Sequence, residues 1–205
     1  KANLGPETAK QGSLGFVIEP IPGYSFNADI WEIRRENQIK SVNLTTMLAN
    51  YNLFQDSFLR RDGVLLAVDQ RWLNAGSAVT RGLELGARAN GKVWDGTWSA
   101  GIDGSRMLEK KSKPLASAAF TDEIGKFIFT GDLGLKWKHS AFVGFKKGDW
   151  SGMLQNLYRG SYANQVLPGV ANGKVTPPNF NAKVDAYSIF NASATYTGFK
   201  NLTLT

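Results

Sequence analysis

The sequence of 205 residues predicts an all-β fold, an antiparallel transmembrane β-barrel. Three observations predict this fold class. Apolar and polar residues alternate with a period of two, tight turns alternate with long polar connections, and aromatic residues flank every tight turn. Sustained alternation is typical of strands with one apolar and one wet face. Short turns at one end and long loops at the other are typical of outer-membrane barrels.

Tight turns and long connections divide the chain into strand pairs. The tight turns are signalled at Pro22–Gly23, Asp95–Gly96, Gly148–Asp149 and near Gly198. The long polar connections are predicted at Ser41–Asp62, Lys110–Thr130 and Val166–Ala182. The order strand, tight turn, strand, long loop therefore repeats about four times, which predicts about eight strands.

The alternation assigns a face to individual residues. In the stretch GTWSAGIDGSRM, the apolar positions are Trp98, Ala100 and Ile102, with Asp103 among the polar ones. In VDAYSIFNASATY, the positions in phase with Phe190 are mostly apolar, and the others are mostly polar. Each strand is therefore expected to present one apolar face and one wet face.

One long connection contains a segment with helical character. The stretch LASAAFTDEIGKF (115–127) places Thr121 before three residues that favour a first helical turn. This pattern predicts a short helix or an ordered turn in an outer loop.

Aromatic side chains near the tight turns predict a membrane-interface girdle. Amphipathic rings settle at the headgroup level of a bilayer. The alternative is a soluble sheet whose aromatic residues cap a core. The predicted girdle residues are Tyr24, Trp98, Phe145, Trp150, Tyr196 and Phe199.

Charge and composition exclude several classes of protein. The formal net charge is +7, but the basic residues are scattered in ones and twos, such as Arg34–Arg35 and Lys110–Lys111. This distribution argues against nucleic acid as a partner. The chain has no cysteine, which excludes disulfides and thiol nucleophiles. No run approaches the ~18 apolar residues of a membrane helix.

The residues that commonly carry catalysis form no recognisable site. The single histidine, His139, is in phase with Trp137 and Ala141, and no neighbouring carboxylate or serine is spaced to orient it. We expect it to be a wall residue. Asp103 and Glu84 lie on polar faces and are expected to pair with Arg88 or Arg81. No enzyme activity, metal or cofactor is therefore predicted.

Five stretches resemble, in order, the barrel of TonB-dependent outer-membrane receptors. They are NLGPETAKQGSLGFVIEP (3–20), FNADIWEIRRENQI (26–39), RWLNAGSAVTRGLELGARANG (71–91), GDWSGMLQNLYRGSYANQ (148–165) and VDAYSIFNASATYTGFKNLTLT (184–205). Each stretch alone is a weak signal, whereas five in the family's order are fairly specific.

The resemblance implies a location and partners. It places residues 1–205 in the C-terminal part of a 22-stranded, plugged barrel, in the outer membrane of a Gram-negative bacterium. It implies active transport of a scarce nutrient, such as a ferric siderophore or similar iron chelate, energised through TonB. The expected partners are outer-membrane lipid, the remaining barrel strands and a plug domain. The plug, the TonB-binding segment and the last strand are expected to lie outside this chain.

Aromatic and cationic residues near the loops are the ligand candidates. Such groups suit an anionic, often aromatic chelate through charge and stacking. Ordinary solvated loops carry the same residue types, so solvation is the alternative for each of them. The candidates are Arg60, Arg61, Trp72, Tyr158, Arg159 and Tyr162.

Two other classes of protein remain open on the sequence. One is a passive porin or a small closed barrel of eight strands, which has a comparable length. The other is a soluble all-β ligand-binding module. A plug domain in the same reading frame would separate the first from a receptor, and solubility without detergent would identify the second.

Overall fold

A computed structural model describes residues 4–127 and 133–205. Its contacts divide the chain into two compact units. Within the described ranges, the first unit comprises residues up to Gln11, Ile33–Thr80 and Lys111–Asp122. The second comprises Gly12–Glu32, Arg81–Lys110 and the residues from Glu123 onward.

One large sheet contains most of the strand residues. Its order is β1-β2-β7-β8-β10-β11-β14-β15, and β9 pairs with β8. The strands in this order are β1 (Thr8–Ile21), β2 (Tyr24–Glu36), β7 (Ser77–Val93), β8 (Gly96–Lys113), β10 (Trp137–Lys147), β11 (Trp150–Arg159), β14 (Tyr187–Phe199) and β15 (Leu202–Leu204). The fold class predicted from the sequence is confirmed.

Short strands and helices occupy the long connections. The short strands are β3 (Ile39–Lys40), β4 (Phe58–Arg61), β5 (Val64–Val68), β6 (Leu73–Asn74), β9 (Thr121–Asp122), β12 (Tyr162–Ala163) and β13 (Lys183–Val184). The helices are α1 (Leu44–Ala49) and α2 (Pro168–Ala171), with 3₁₀ turns at Tyr51–Leu53 and Gln55–Ser57. None of the described helices is long and apolar enough to cross a membrane.

The tight turns lie close to their predicted positions. Two-residue turns occur at Pro22–Gly23, Trp94–Asp95, Gly148–Asp149 and Lys200–Asn201. The second has positive φ at both central residues, 49° and 60°, as the favoured hairpin turn requires. The fourth turn lies two residues after Gly198, near which it was predicted, because Gly198 continues β14.

Of the two alternatives predicted for 115–127, a short helix or an ordered turn, the structure shows the turn, in which the Ala118 amide donates to the Leu115 carbonyl at 3.1 Å. Thr121 pairs with Ser112 across β9 and β8, so it extends the sheet instead of capping a helix. The predicted end of that connection, at Thr130, lies outside the described residues. The first long connection is also more ordered than its composition suggested. Asn43 begins α1 there, and its side chain accepts a hydrogen bond of 2.8 Å from the Thr46 amide.

Buried apolar side chains gather in the first unit. They form one cluster, with Val68, Leu73 and Ala118 packed against it. The buried residues are Val42, Met47, Phe54, Phe58, Ala75 and Leu115. These side chains come from the long connections, which form a small hydrophobic core of their own.

The sheet instead has two different faces. Register places Ala100, Val143, Leu154 and Ala192 in one cross-strand row, so their side chains share one face. We call this the apolar face. The opposite face, here the wet face, carries Ser140, Asp103, Gln155, Asn191 and Ser193.

The sheet is open at both edges. In the part of the chain that the structure describes, β1 and β15 are the two edge strands and do not pair with each other. The small closed barrel is therefore not the fold of this chain. Open edges with unpaired backbone groups require further strands in a lipid environment.

Candidate functional site

The wet face lines a concave region of about 460 Å³ in the second unit. Side chains from six strands border it, from β2 to β14, and most of them are polar. They include Asn27, Glu84, Asp103, Ser105, Lys138, Ser140, Leu157, Arg159, Tyr187 and Ile189. A polar, concave side opposite an apolar one is the arrangement of a barrel lumen.

Two cations lie side by side in this region. Lys138 and Arg159 are directly opposite each other across β10 and β11. Ser105 extends the row on one side and Tyr187 on the other. Within the described residues, neither cation pairs with a carboxylate. Like charges directly opposite are unfavourable in a sheet, so an anion bound between them would stabilise the row.

Of the two carboxylates that border the region, Asp103 has a cationic partner, whereas Glu84 forms no ion pair with a described residue. The Arg88 Nη2 atom lies 2.5 Å from Asp103 Oδ2, and the Arg88 guanidinium lies 5.6 Å from the centre of the Phe142 ring. The predicted pairing of Asp103 with Arg88 is therefore confirmed. Arg81 instead pairs with Glu32 and, at 3.5 Å, with Glu109.

A ladder of neutral polar groups lies nearer the tight turns than the row of Lys138 and Arg159 does. Gln155 Nε2 donates to Ser140 Oγ at 3.2 Å, and Asn191 Nδ2 donates to Gln155 Oε1 at 3.3 Å. The three side chains belong to three adjacent strands. These neutral side chains form hydrogen bonds with one another and carry no formal charge. The unpaired positive charge is therefore concentrated in the row of Lys138 and Arg159.

His139 belongs to a hydrogen-bonded chain on the apolar face. Trp137 Nε1 donates to His139 Nδ1 at 2.9 Å, and His139 Nε2 lies 3.2 Å from Asn156 Oδ1. An indole nitrogen only donates, so Nδ1 is the acceptor and the neutral ring carries its hydrogen on Nε2. Tyr158 stacks on the imidazole, with ring centres 5.0 Å apart. The histidine is thus a wall residue, as its sequence position predicted.

Four of the aromatic residues near the tight turns, Trp98, Phe145, Trp150 and Tyr196, share the apolar face. Trp98 is directly opposite Phe145, and Trp150 is directly opposite Tyr196 with ring centres 4.7 Å apart. Phe199 meets Tyr196 edge-on at 5.2 Å. Trp150 is 61% exposed and is not packed in a closed core, as a girdle residue requires. Tyr24 follows the first tight turn and is also exposed.

Comparison with protein families decides the identity of this sheet. The family described as TonB dependent receptor-like, beta-barrel matches residues 1–205. The chain belongs to the TonB-dependent receptor family. Comparisons with curated proteins and with solved structures found no match.

The family assignment explains the two faces of the receptor sheet. Receptors of this family are outer-membrane transporters, so the family implies TonB-dependent transport in that membrane. A barrel wall in this setting needs an apolar side for lipid and a polar side for the lumen. The described residues contain no group of three or more His, Asp or Glu side chains able to hold a metal ion.

The predicted ligand residues of the receptor fall in different places. Arg60 and Arg61 lie in β4 of the first unit, beside the hairpin turn at Asp62–Gly63, and Trp72 is 61% exposed. The other three belong to the second unit. Arg159 lies on the wet face, and Tyr158 lies on the opposite face against His139.

Tyr162, in β12, has its ring centre 6.5 Å from that of Phe127. The six predicted residues therefore do not form one cluster within either unit. Lys138 and Tyr187 join Arg159 instead, and the sequence did not single them out as ligand candidates. Their shared face follows from the alternation, but their adjacency depends on the strand register.

One carboxyl group in the receptor's first long connection has a lowered pKa. The Asp69 side chain accepts hydrogen bonds from Arg71, whose Nε lies 2.9 Å from Oδ1 and whose Nη2 lies 2.5 Å from Oδ2. These bonds lower the pKa of Asp69 to about 2 and raise the pKa of Arg71. The pair ties two neighbouring positions of the loop together.

Proposed function

We propose that this chain forms part of the wall and loops of an outer-membrane transporter that imports an anionic iron chelate, such as a ferric siderophore, with energy from TonB. The observation that carries the proposal is the row of Lys138 and Arg159 on the concave wet face. Two adjacent cations without carboxylate partners match an anionic solute.

The flanking side chains suit the same ligand class. Tyr187 is directly opposite Arg159 and borders the concave region, so its ring is available to stack on an aromatic iron-binding group. Ser105, opposite Lys138, adds a hydroxyl that both donates and accepts. Charge would thus select an anion, and the neighbouring groups would orient it.

The rest of the receptor completes the transporter in this proposal. Further strands would cover the open edges at β1 and β15, and a plug domain would occlude the lumen and connect to TonB. The exposed cations Arg60 and Arg61, together with Trp72, would contribute to capture in the loops.

Binding to the purified receptor in neutral detergent tests the ligand class. The probes are a negatively charged ferric tris-catecholate and an uncharged ferric tris-hydroxamate. We expect the charged probe to bind, and the double variant Lys138→Gln/Arg159→Gln to weaken that binding about tenfold or more, because two charged hydrogen-bond donors are lost. Lys200→Gln, which removes a charge at a tight turn, is the matched control.

Iron uptake by cells tests the transport step. Cells producing the receptor should take up the labelled charged chelate only when TonB is present. Uptake that persists without TonB would identify a passive pore and contradict the proposal. Equal binding of both probes, unaffected by the double variant, would contradict the assignment of an anionic ligand while leaving TonB-dependent transport intact.

A further inference from the structure

A second polar cluster lies on the apolar face of the sheet, at the end nearer the long loops. We call it the loop-side patch and define it as Arg106, Trp137, His139 and Tyr158. Arg106 is directly opposite Trp137 across β8 and β10, and His139 is directly opposite Tyr158 across β10 and β11. All four residues belong to the second unit.

The distance between the two levels of aromatic residues matches the thickness of the apolar part of a membrane. Trp137 and Phe145 are eight positions apart along β10, and between them the apolar face carries Ala141 and Val143. Eight steps of about 3.4 Å, inclined by roughly 40°, give a height of about 20 Å. The apolar band of an outer-membrane barrel is roughly 25 Å tall, with aromatic residues at both borders. The loop-side patch therefore lies at the headgroup level opposite the turn-side girdle.

The patch carries an uncompensated cation. Arg106 is exposed, and it forms no ion pair with any described residue. A cation on the side of a barrel that faces lipid is tolerated near the membrane border, where it meets anionic headgroups. The indole of Trp137 lies beside it and over Gly104, where a methyl group would overlap the ring. This glycine lets the indole lie flat against the strand.

We propose that the loop-side patch binds a phosphate-bearing lipid headgroup. Arg106 pairs with the phosphate, and the rings of Trp137 and Tyr158 pack against the neighbouring part of the lipid. The proposal rests on the proposed membrane orientation of the apolar face. It concerns a different ligand from the anionic chelate, because Lys138 and Arg159 lie on the opposite face.

Quenching of Trp137 fluorescence by brominated lipids tests the proposal. The intact receptor is reconstituted in phosphatidylcholine bilayers containing a minor fraction of phosphatidylglycerol, with bromine on the acyl chains of one lipid or the other. The signal of Trp137 is the difference from a Trp137→Phe protein. We expect phosphatidylglycerol to quench Trp137 about fivefold more per molecule than phosphatidylcholine, the preference that one well-placed arginine provides.

Matched variants assign the preference to the patch. Arg106→Gln should reduce the quenching ratio to about one. Lys138→Gln removes the same charge from the other face of the neighbouring strand and should leave the ratio unchanged. Each variant is compared with its own Trp137→Phe partner, and circular dichroism confirms that the sheet is retained.

Three results would overturn the proposal. Equal quenching by both lipids would exclude a headgroup site while leaving the membrane orientation intact. If Lys138→Gln lowered the quenching ratio as much as Arg106→Gln does, only the net charge would attract the lipid. Absence of quenching by either lipid would show that the patch does not meet the bilayer, and both the site and the orientation would fail.

Discussion

The two units of this chain use apolar side chains in opposite ways. The first unit buries Met47 completely and surrounds it with side chains such as Phe54 and Phe58, as a small water-soluble domain does. In the described part of the second unit, no large apolar residue is buried, and residues such as Val143 and Phe190 are half or more exposed. The loops therefore form their own core, whereas the sheet requires an apolar partner outside the chain, which the lipid of the outer membrane provides.

The largest expected effect comes from removing the centre of the loop core. Met47→Ala should destabilise the first unit by about 2–5 kcal/mol, since it deletes a fully buried side chain. Leu48→Ala is the matched control, because Leu48 is the next residue and is 56% exposed. Hydrogen exchange of the amides in residues 42–75 measures the difference. Equal exchange in the two variants would mean that the loops have no cooperative core.

Arginine substitutions on the two faces of β14 should differ strongly in their cost to the stability of the barrel in a bilayer. Ala192→Arg places a charge on the apolar face and should cost about 2 kcal/mol in a bilayer. Ser193→Arg places it on the wet face one residue later and should cost well under 1 kcal/mol. Both positions are exposed, so burial within the chain does not separate them. Unfolding in urea from lipid vesicles gives both values, and similar costs would contradict the assignment of the faces.

The ion pair on the wet face should contribute little. Arg88 and Asp103 are both largely exposed, and such pairs contribute about 0–1 kcal/mol. A double-mutant cycle with Arg88→Gln and Asp103→Asn should therefore give a coupling energy below about 1 kcal/mol. A larger value would indicate that water is excluded from this part of the lumen.

The smallest expected effect is a pH dependence of the stability of the first unit. The hydrogen bonds from Arg71 lower the pKa of Asp69 to about 2 from its ordinary value of 3.8. The contribution of this pair is therefore fully present above about pH 4 and is lost as the pH falls towards 2. Asp69→Asn should flatten this part of the stability profile, measured by hydrogen exchange of the neighbouring amides. The same profile in both proteins would show that the pair does not stabilise the loop.

The sheet was predictable because its signals are local. Period-two alternation identifies the faces of a strand, and Gly148 with Asp149 marks a hairpin without any distant contact. The errors arose where distant pairing overrides a local preference. Thr121 has the context of a helix cap, yet pairing with Ser112 makes it part of a strand.

The loop core and the candidate site depend on contacts between residues that are distant in sequence, so no short stretch of the sequence predicts them. Val42 and Leu115 belong to the same buried cluster but are far apart in sequence and follow no period. Lys138 and Arg159 become neighbours only through the register of β10 with β11. A shift of that register by one residue would move every side chain of one strand to the other face.

Which face of the sheet meets lipid is measured most directly by scanning β14 with single cysteines, which is straightforward because the chain has none of its own. Spin labels at each position from Ile189 to Ala194 would be tested in bilayers for collisions with oxygen, which concentrates in lipid, and with a water-soluble nickel complex. We predict high oxygen accessibility at Phe190, Ala192 and Ala194, and high nickel accessibility at the alternate positions. Uniform accessibility, or the opposite phase, would contradict the assignment of the apolar face to the membrane.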